Sequence, residues 1–374
     1  MIFHNPVRVE WGSPDFRELP EAVAGRRAAL VTTAGMESRG VVARLRSALG
    51  NSAITSMALA KPNPTIASIQ ENADAILATG RPEVIIALGG GSALDTAKGV
   101  AAIASTGSSR AWLEEHLRAA ASFPPGFSPP PIIAIPTTSG TGSEVTMWGT
   151  VWDETSGAKY SVSHPRLYAE RAVLVPEMTT SAPAELTLFT ALDAVSHCME
   201  AVWNRRAGAV SDAFAAAGLA RLLGGITDVI VAPEDLAVRR RLQEGALLGG
   251  LAISCTATAL AHSISYPLTS TFGMPHGLAC SFTLPEMLEF NYAAAPDRMN
   301  AIVNALELSE AESPADALRR LFDHWGVRSH ARRYLNAESA ATIKDRLLAP
   351  GRADNNVRPA THDDALNIVE RSLA

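Results

Sequence analysis

Cysteine is scarce. The chain has three, Cys198, Cys255 and Cys280, odd in number, far apart and set among apolar neighbours. That argues against a disulfide framework and fits a protein of the reducing cytosol. Small buried side chains are their simplest role. Positive charge is not in excess either: 32 Lys and Arg stand against 38 Asp and Glu, a net charge of −6. A general affinity for nucleic acid or for an anionic membrane is therefore not expected. Gly, Ser or a charge interrupts each apolar run well short of the roughly 20 residues of a membrane span. The opening Met1-Ile-Phe-His-Asn-Pro6 has no basic region followed by an apolar stretch, so it does not read as a signal peptide. No repeat is visible, and compositional bias is confined to the Pro-rich stretch 121–131. The expectation is a cytoplasmic protein with no membrane or nucleic-acid partner.

What is present is enough for two cores. At 374 residues, 47% hydrophobic and 19% charged, the chain is long for one domain and ordinary for a compact protein. Its first half alternates short β-prone runs with helical spacing. Strands are predicted over 7–11, 28–32, 53–59, 84–88 and 132–135, with helices over 41–49 and 66–79. That order implies right-handed βαβ units and a parallel sheet. Residues 149–175 read as a hairpin and a strand. Pro176 to Pro183 marks a boundary, giving an α/β domain over 1–180 and an all-helical domain over 181–374. Helices are predicted there over 209–223, closing at Gly224-Gly225, and over 236–260, 285–292, 298–306, 314–325, 337–348 and 363–373. Thr361 or Asp363 can cap the last.

Two loops carry hydrogen-bonding potential. The strand 84–88 runs into Gly89-Gly-Gly-Ser-Ala-Leu-Asp-Thr-Ala-Lys98. A strand, a glycine turn and a helix start make a phosphate cradle, because the backbone can approach closely and helix-start N–H groups face the anion. The spacing matches neither G-x-G-x-x-G nor a P-loop. The second loop, Pro136-Thr-Thr-Ser-Gly-Thr-Gly-Ser-Glu-Val145, can clasp a pyrophosphate from another side. In the second half, Asp193 and His197 lie at i and i+4 in a helical segment, so both face one way. His262 and His276 follow among apolar neighbours. Ionisable groups in such surroundings are costly unless paired or metal-bound. One Asp and three His form a donor set for a divalent transition ion, Fe²⁺ or Zn²⁺. The remaining histidines lack such spacing and read as core or surface residues; His164, just past Lys159, is nearest to an exception.

Together these motifs resemble the iron-containing (group III) alcohol dehydrogenase family over essentially the whole chain. The resemblance implies that Asp193, His197, His262 and His276 hold Fe(II), or Zn, and that Gly89, Gly90, Gly91, Ser92, Asp95, Thr137, Thr138 and Thr141 contact a nicotinamide dinucleotide. It implies Lys159 near the nicotinamide ribose, an active site in the cleft between the domains, and a homodimer or larger assembly. Two positions depart from the family pattern. Tyr266 stands where relatives usually carry a second histidine four residues after His262, and a phenol there can donate a hydrogen bond or shuttle a proton. Thr33 stands where relatives usually carry an Asp after the first buried strand, so a repulsion against the 2′-phosphate of NADPH is missing and NADPH as well as NADH is expected. The implied reaction is reversible reduction of a small aldehyde to a primary alcohol. Within the family, His4-Asn5-Pro6 and Tyr266 are similar to reductases of small anionic aldehydes, phosphonoacetaldehyde in particular, which yields 2-hydroxyethylphosphonate. An anionic headgroup needs a cation, for which Lys159, Arg166, Arg205 and Arg206 are candidates. Simple short-chain alcohols, lactaldehyde and hydroxybutyrate are alternative substrates. A non-redox sugar-phosphate cyclase would share the nucleotide loop and a metal without the Asp-x-x-x-His pair, and a non-catalytic scaffold would need neither loop nor ligands together.

Overall fold

The computed structural model describes residues 3–50, 53–106, 110–306, 308 and 312–374. Two units are distinguished: 5–138 with 143–181, and 182–374 with 139–142 and Phe3-His4.

The first unit is α/β. Its elements run β1 (Arg8–Trp11), α1 (Leu19–Val23), β2 (Ala28–Thr32), α2 (Ala34–Ser38), α3 (Val41–Leu49), β3 (Ile54–Leu59), α4 (Ile66–Leu77), β4 (Val84–Gly89), α5 (Gly91–Thr106), α6 (Arg110–Ala119), β5 (Ile132–Pro136), β6 (Trp148–Trp152), β7 (Lys159–Ser163) and β8 (Arg171–Leu174). Six strands form a sheet in the order β1-β8-β5-β4-β2-β3, and each neighbouring pair is parallel. β2, β4 and β5 are buried on both faces, which explains their unbroken apolar sequences. Alternate residues feed two cores. Ala29, Val31, Ile85, Ala87, Ile132 and Ala134 join apolar residues of α4, α5 and α6 in one. Ala28, Leu30, Ile86, Leu88, Ile133 and Ile135 join those of α1 and α3 in the other. β6 and β7 form the separate antiparallel hairpin.

The second unit is helical: α7 (Ala184–Val202), α8 (Ala209–Val231), α9 (Leu236–Thr256), α10 (Leu260–Phe272), α11 (His276–Ala279), α12 (Leu284–Tyr292), α13 (Pro296–Val303), α14 (Pro314–His324), α15 (Val327–Ala331), α16 (Ala337–Ala341) and α17 (His362–Leu373). Thr361 caps α17 by accepting the Asp364 N–H. Three boundaries differ from the sequence pattern by four residues or more. α8 does not close at Gly224-Gly225: it continues to Val231. Gly225 serves helix packing instead, since a Cβ there would lie 2.8 Å from Leu242 of α9. The predicted helix 236–260 breaks after Thr256, where Ala257 has φ of +60°, and α10 leaves at 107° to α9. The predicted 337–348 helix ends at Ala341 and gives way to a 3-10 turn at Lys344–Arg346. α8 is, by length and composition, apolar enough to cross a membrane, contrary to the sequence reading. In this fold it is a core helix, with Ala215, Leu219, Leu222 and Ile226 buried in the same cluster as Leu192 and Val195 of α7 and Leu242 of α9. No disulfide joins the three cysteines.

The hairpin is tied to α6 by one carboxylate. Asp153 accepts two hydrogen bonds at 2.9 Å from the Arg118 guanidinium, one from Thr155 N at 3.0 Å and one from Ser156 Oγ at 2.9 Å. The Arg118 hydrogen bonds lead in holding its carboxyl well below the usual range. A depressed folded-state pKa stabilises fully above the unfolded value of about 4 and the contribution disappears as pH falls below it. Asp153→Asn is therefore expected to lower the melting temperature at pH 7. The difference from the parent should shrink progressively as pH falls below about 4; a constant difference in melting scans would contradict this.

Candidate metal centre and dinucleotide loop

α7 carries a polar stripe through an apolar helix. Asp193, His197 and Glu200 follow each other at i, i+4 and i+7, on one face, and all are buried. His197 Nε2 lies 3.3 Å from Asp193 Oδ1, and His262 Nε2 lies 3.5 Å from the same oxygen. The His197 and His262 rings stack with centroids 5.0 Å apart, and His276 meets His262 edge-on at 5.4 Å. All four residues named from the sequence are thus gathered around one carboxylate. His262 opens α10 and His276 opens α11, so the break after α9 and the turn through Gly273 supply two of the imidazoles.

Two residues complete the cluster that sequence reasoning did not assign. Glu200 accepts the His262 backbone N–H at 3.1 Å, and its other oxygen lies 2.5 Å from His262 Nδ1. That carboxylate fixes the ring so that Nε2 faces Asp193, the outer-shell arrangement expected behind a ligating histidine. Its in-phase position after Asp193 and His197 was the available signal. Cys280 is buried as expected, yet its thiol lies 3.2 Å from Asp193 Oδ1. Asp193, His262, His276 and Cys280 offer ligand atoms within 4.8 Å of one another. Burial opposes the charged form of Asp193, but His197, His262 and His276 together hold its carboxyl far below the usual range. Burial likewise opposes a charged His262, and the Glu200 and Asp193 carboxylates outweigh it, raising that imidazole to about 9. By contrast, burial alone pushes up the Cys198 thiol, which suits an inert core residue.

The α/β unit gathers the predicted loop residues at the carboxyl ends of β2, β4 and β5. This is where an open parallel sheet reverses its strand order and binds its ligand. A Cβ at Gly89 would lie 2.6 Å from Ala93 and 3.4 Å from Thr33, and one at Gly90 would lie 3.2 Å from Thr138. Glycine is what allows this turn to enter α5, whose first N–H groups have no intrahelical acceptor. Thr137 N donates to Gly89 O at 3.0 Å. Ser92 Oγ is engaged by Asn63 N at 3.3 Å. Thr141 belongs to the helical unit.

Asp95 is half-buried and does more than face a helix dipole: it accepts from Ser143 Oγ at 2.7 Å. Beside it Lys98 is fully buried and donates to Ser143 O at 2.6 Å, Trp148 O at 2.8 Å and Thr146 O at 2.9 Å. This ammonium pins the second loop to α5. Burial lowers Lys98 to about 8 against the pull of Asp95 and Glu144, and burial raises both those carboxyls. Lys159 is half-buried at the start of β7, its Nζ 5.8 Å from the Trp152 ring centroid, close enough to act on Asp95 electrostatically. His164 packs on Phe123 and Phe127, with ring centroids 4.7 and 4.6 Å away, and accepts from Arg166 N, a structural role.

Residues 6–176 match the family model for iron-containing alcohol dehydrogenase, and residues 187–373 match that of the Fe-containing alcohol dehydrogenase family, C-terminal. The chain belongs to the iron-containing alcohol dehydrogenase family and is an enzyme of the alcohol dehydrogenase and aldehyde reductase type. It is 30% identical to sulfoacetaldehyde reductase of Bilophila wadsworthia over 93% of this chain and 92% of that one. It is 33% identical to phosphonoacetaldehyde reductase of Streptomyces viridochromogenes over 78% of this chain and 75% of that one. The crystal structure of sulfoacetaldehyde reductase from Bifidobacterium kashiwanohense in complex with NAD+ is similar with a TM-score of 0.89 and 26% identity, covering 100% of this chain and 98% of that one. This membership sets aside the cyclase and scaffold readings.

The approach of α11 to α7 sets the cluster. A Cβ at Gly277 would lie 2.0 Å from Phe189 O and 3.3 Å from Asp193 Cβ. Gly277→Ala must push α11, with His276 and Cys280, away from Asp193. The expected result is a loss of about 1–3 kcal/mol in stability together with a lower bound-metal content by elemental analysis. Full metal content in the purified variant would contradict this.

Proposed function

We propose that the chain reduces a small aldehyde carrying an anionic headgroup to its primary alcohol with NADH or NADPH, phosphonoacetaldehyde and sulfoacetaldehyde being the substrate type. The observation that carries the reading is the buried Asp193 carboxylate faced by His197 and His262, in a family member similar to reductases of those two aldehydes. A buried carboxylate among imidazoles fits a divalent transition ion, iron by family, and Asp193, His197, His262 and His276 would hold it. When bound, such an ion supplies Lewis acidity toward a carbonyl oxygen. The dinucleotide supplies the hydride: aldehyde, NAD(P)H and one proton give alcohol and NAD(P)+. Around these groups the chain's own residues bind and orient. Gly89 to Ser92 and the start of α5 receive the pyrophosphate, with Thr137, Thr138 and Thr141 as further hydrogen-bond donors. Asp95, fixed by Ser143, and Lys159 position the nicotinamide ribose. Glu200 holds His262 in one tautomer. Tyr266, one turn after His262 on α10, presents a hydroxyl that can hold or pass the proton at the substrate oxygen.

Chelator-treated protein should lose turnover and regain it with Fe²⁺. His262→Ala should regain none, with kcat/KM at least about 10³-fold down, as expected when several kcal/mol of charge stabilisation is removed. Undiminished activity in a metal-free preparation would sink the reading. Thr33→Asp should cut kcat/KM with NADPH by about 10–100-fold relative to NADH, through repulsion of the 2′-phosphate. A parent enzyme that already refuses NADPH would remove this role for Thr33.

A further inference from the structure

Of the cations proposed from sequence for an anionic headgroup, Arg166, Arg205 and Arg206 are exposed, and Lys159 is half-buried and assigned above to the nicotinamide ribose. The helical unit offers another. Tyr266 lies four residues after His262 on α10 and so shares its face. Its hydroxyl accepts a hydrogen bond from Arg352 Nε at 3.1 Å. Arg352 is half-buried, and Nη1 donates to Gly351 O at 3.0 Å. No carboxylate among the described residues lies within ion-pair distance of it; its neighbour Asp354 is engaged by Gly351 N at 3.0 Å.

The segment that carries this guanidinium is anchored to α10 on both sides. Ser263 Oγ donates to Leu347 O at 2.8 Å and accepts Ala349 N–H at 2.6 Å. Asn355 Nδ2 donates to Thr258 O, just before α10, at 2.8 Å and to Gly351 O at 3.1 Å. Arg352 is thus held by a rigid frame beside the helix that bears His262. A half-buried cation with no carboxylate beside it is costly unless an anion visits.

We propose that Arg352, oriented by Tyr266, is the specificity-determining residue that binds the tetrahedral oxyanion of the substrate, phosphonate or sulfonate. Nε is committed to the phenol and one Nη1 hydrogen to the Gly351 carbonyl. The remaining N–H groups of the planar fork match two oxygens of such a head. The inference rests on the reductase reading above, and it names the residue that distinguishes a charged aldehyde from a neutral one.

The test compares phosphonoacetaldehyde, sulfoacetaldehyde and propanal on parent, Arg352→Gln and Arg352→Lys. The quantity read is the ratio of kcat/KM for each charged aldehyde to that for propanal. In Arg352→Gln this ratio should fall about 10²-fold, mainly through KM, with partial recovery in Arg352→Lys. A merely structural role would lower all three rates and leave the ratio fixed, and that result overturns the proposal. A second arm needs no turnover: calorimetric binding of 2-hydroxyethylphosphonate and of isethionate to the metal-loaded protein should weaken by a similar factor in Arg352→Gln. Unchanged binding overturns it. If no aldehyde is reduced by the parent the reductase reading fails, and the calorimetric arm still decides Arg352. If one anion alone shows the effect, the site is assigned to that head.

Discussion

Burying the carboxylate of Asp193 is the constraint on which the helical unit depends. A lone ionised carboxylate in an apolar helix interior is unstable by several kcal/mol. Here the cost is offset by bringing two other elements, and a further turn of the same helix, to it. α10 delivers His262, α11 delivers His276 and Cys280, and the next turn of α7 delivers His197. Glu200 is a second buried acid on the same stripe, and it is neutralised by the far side of the His262 ring. The chain Glu200–His262–Asp193 therefore alternates negative, ionisable and negative groups. Displacing one member leaves another unmatched, so the geometry of the ring nitrogens is held by electrostatics as well as by packing. Ser196, between His197 and Asp193 on the same helix, donates to Cys280 O at 2.9 Å and locks the incoming segment in register.

The α/β unit solves the opposite problem, a buried cation. Lys98 finds carbonyl oxygens of residues 143–148, and Asp95 and Glu144 supply the compensating charge. A loop rich in Ser, Thr and Gly has few apolar side chains with which to hold its own shape. The ammonium supplies a point around which its carbonyls converge. The Gly89 turn and the second loop are thus both attached to α5, one covalently and one through Lys98. Hydroxyls proposed to clasp a pyrophosphate gain from such a fixed backbone, since ordering mobile groups costs entropy on binding.

The sheet and the Asp193–His197 pair were legible because they follow short-range rules. β2 and β4 announce themselves as unbroken apolar runs, and Asp193 and His197 as an i, i+4 pair. Glu200 obeys the same periodicity, but a glutamate near a helix end reads as solvent-facing until the burial of both helix faces is known. Gly224-Gly225 looked like a stop signal because propensity is local, whereas Gly225 answers to Leu242 on a neighbouring helix. The break after Thr256 has no proline or glycine to mark it; Ala257 takes a left-handed φ because α10 must turn back toward α7. Cys280 and Arg352 were illegible for a stronger reason. Their neighbours, Asp193 and Tyr266, lie 87 and 86 residues away in sequence. Only the fold brings those pairs together.

Tyr266 has a physical consequence beyond the proton handling proposed for it. An imidazole at this position, one turn from His262, would titrate beside Arg352 and place a second positive charge against the guanidinium whenever it took a proton. A phenol oxygen accepts the Nε–H without adding charge. It therefore orients the guanidinium and leaves its full positive charge for another anion. The phenol is thus also what makes an arginine with no carboxylate beside it tolerable next to the helix that bears His262. Tyr266 and Arg352 are thus coupled through one hydrogen bond, and altering one changes the electrostatic setting of the other.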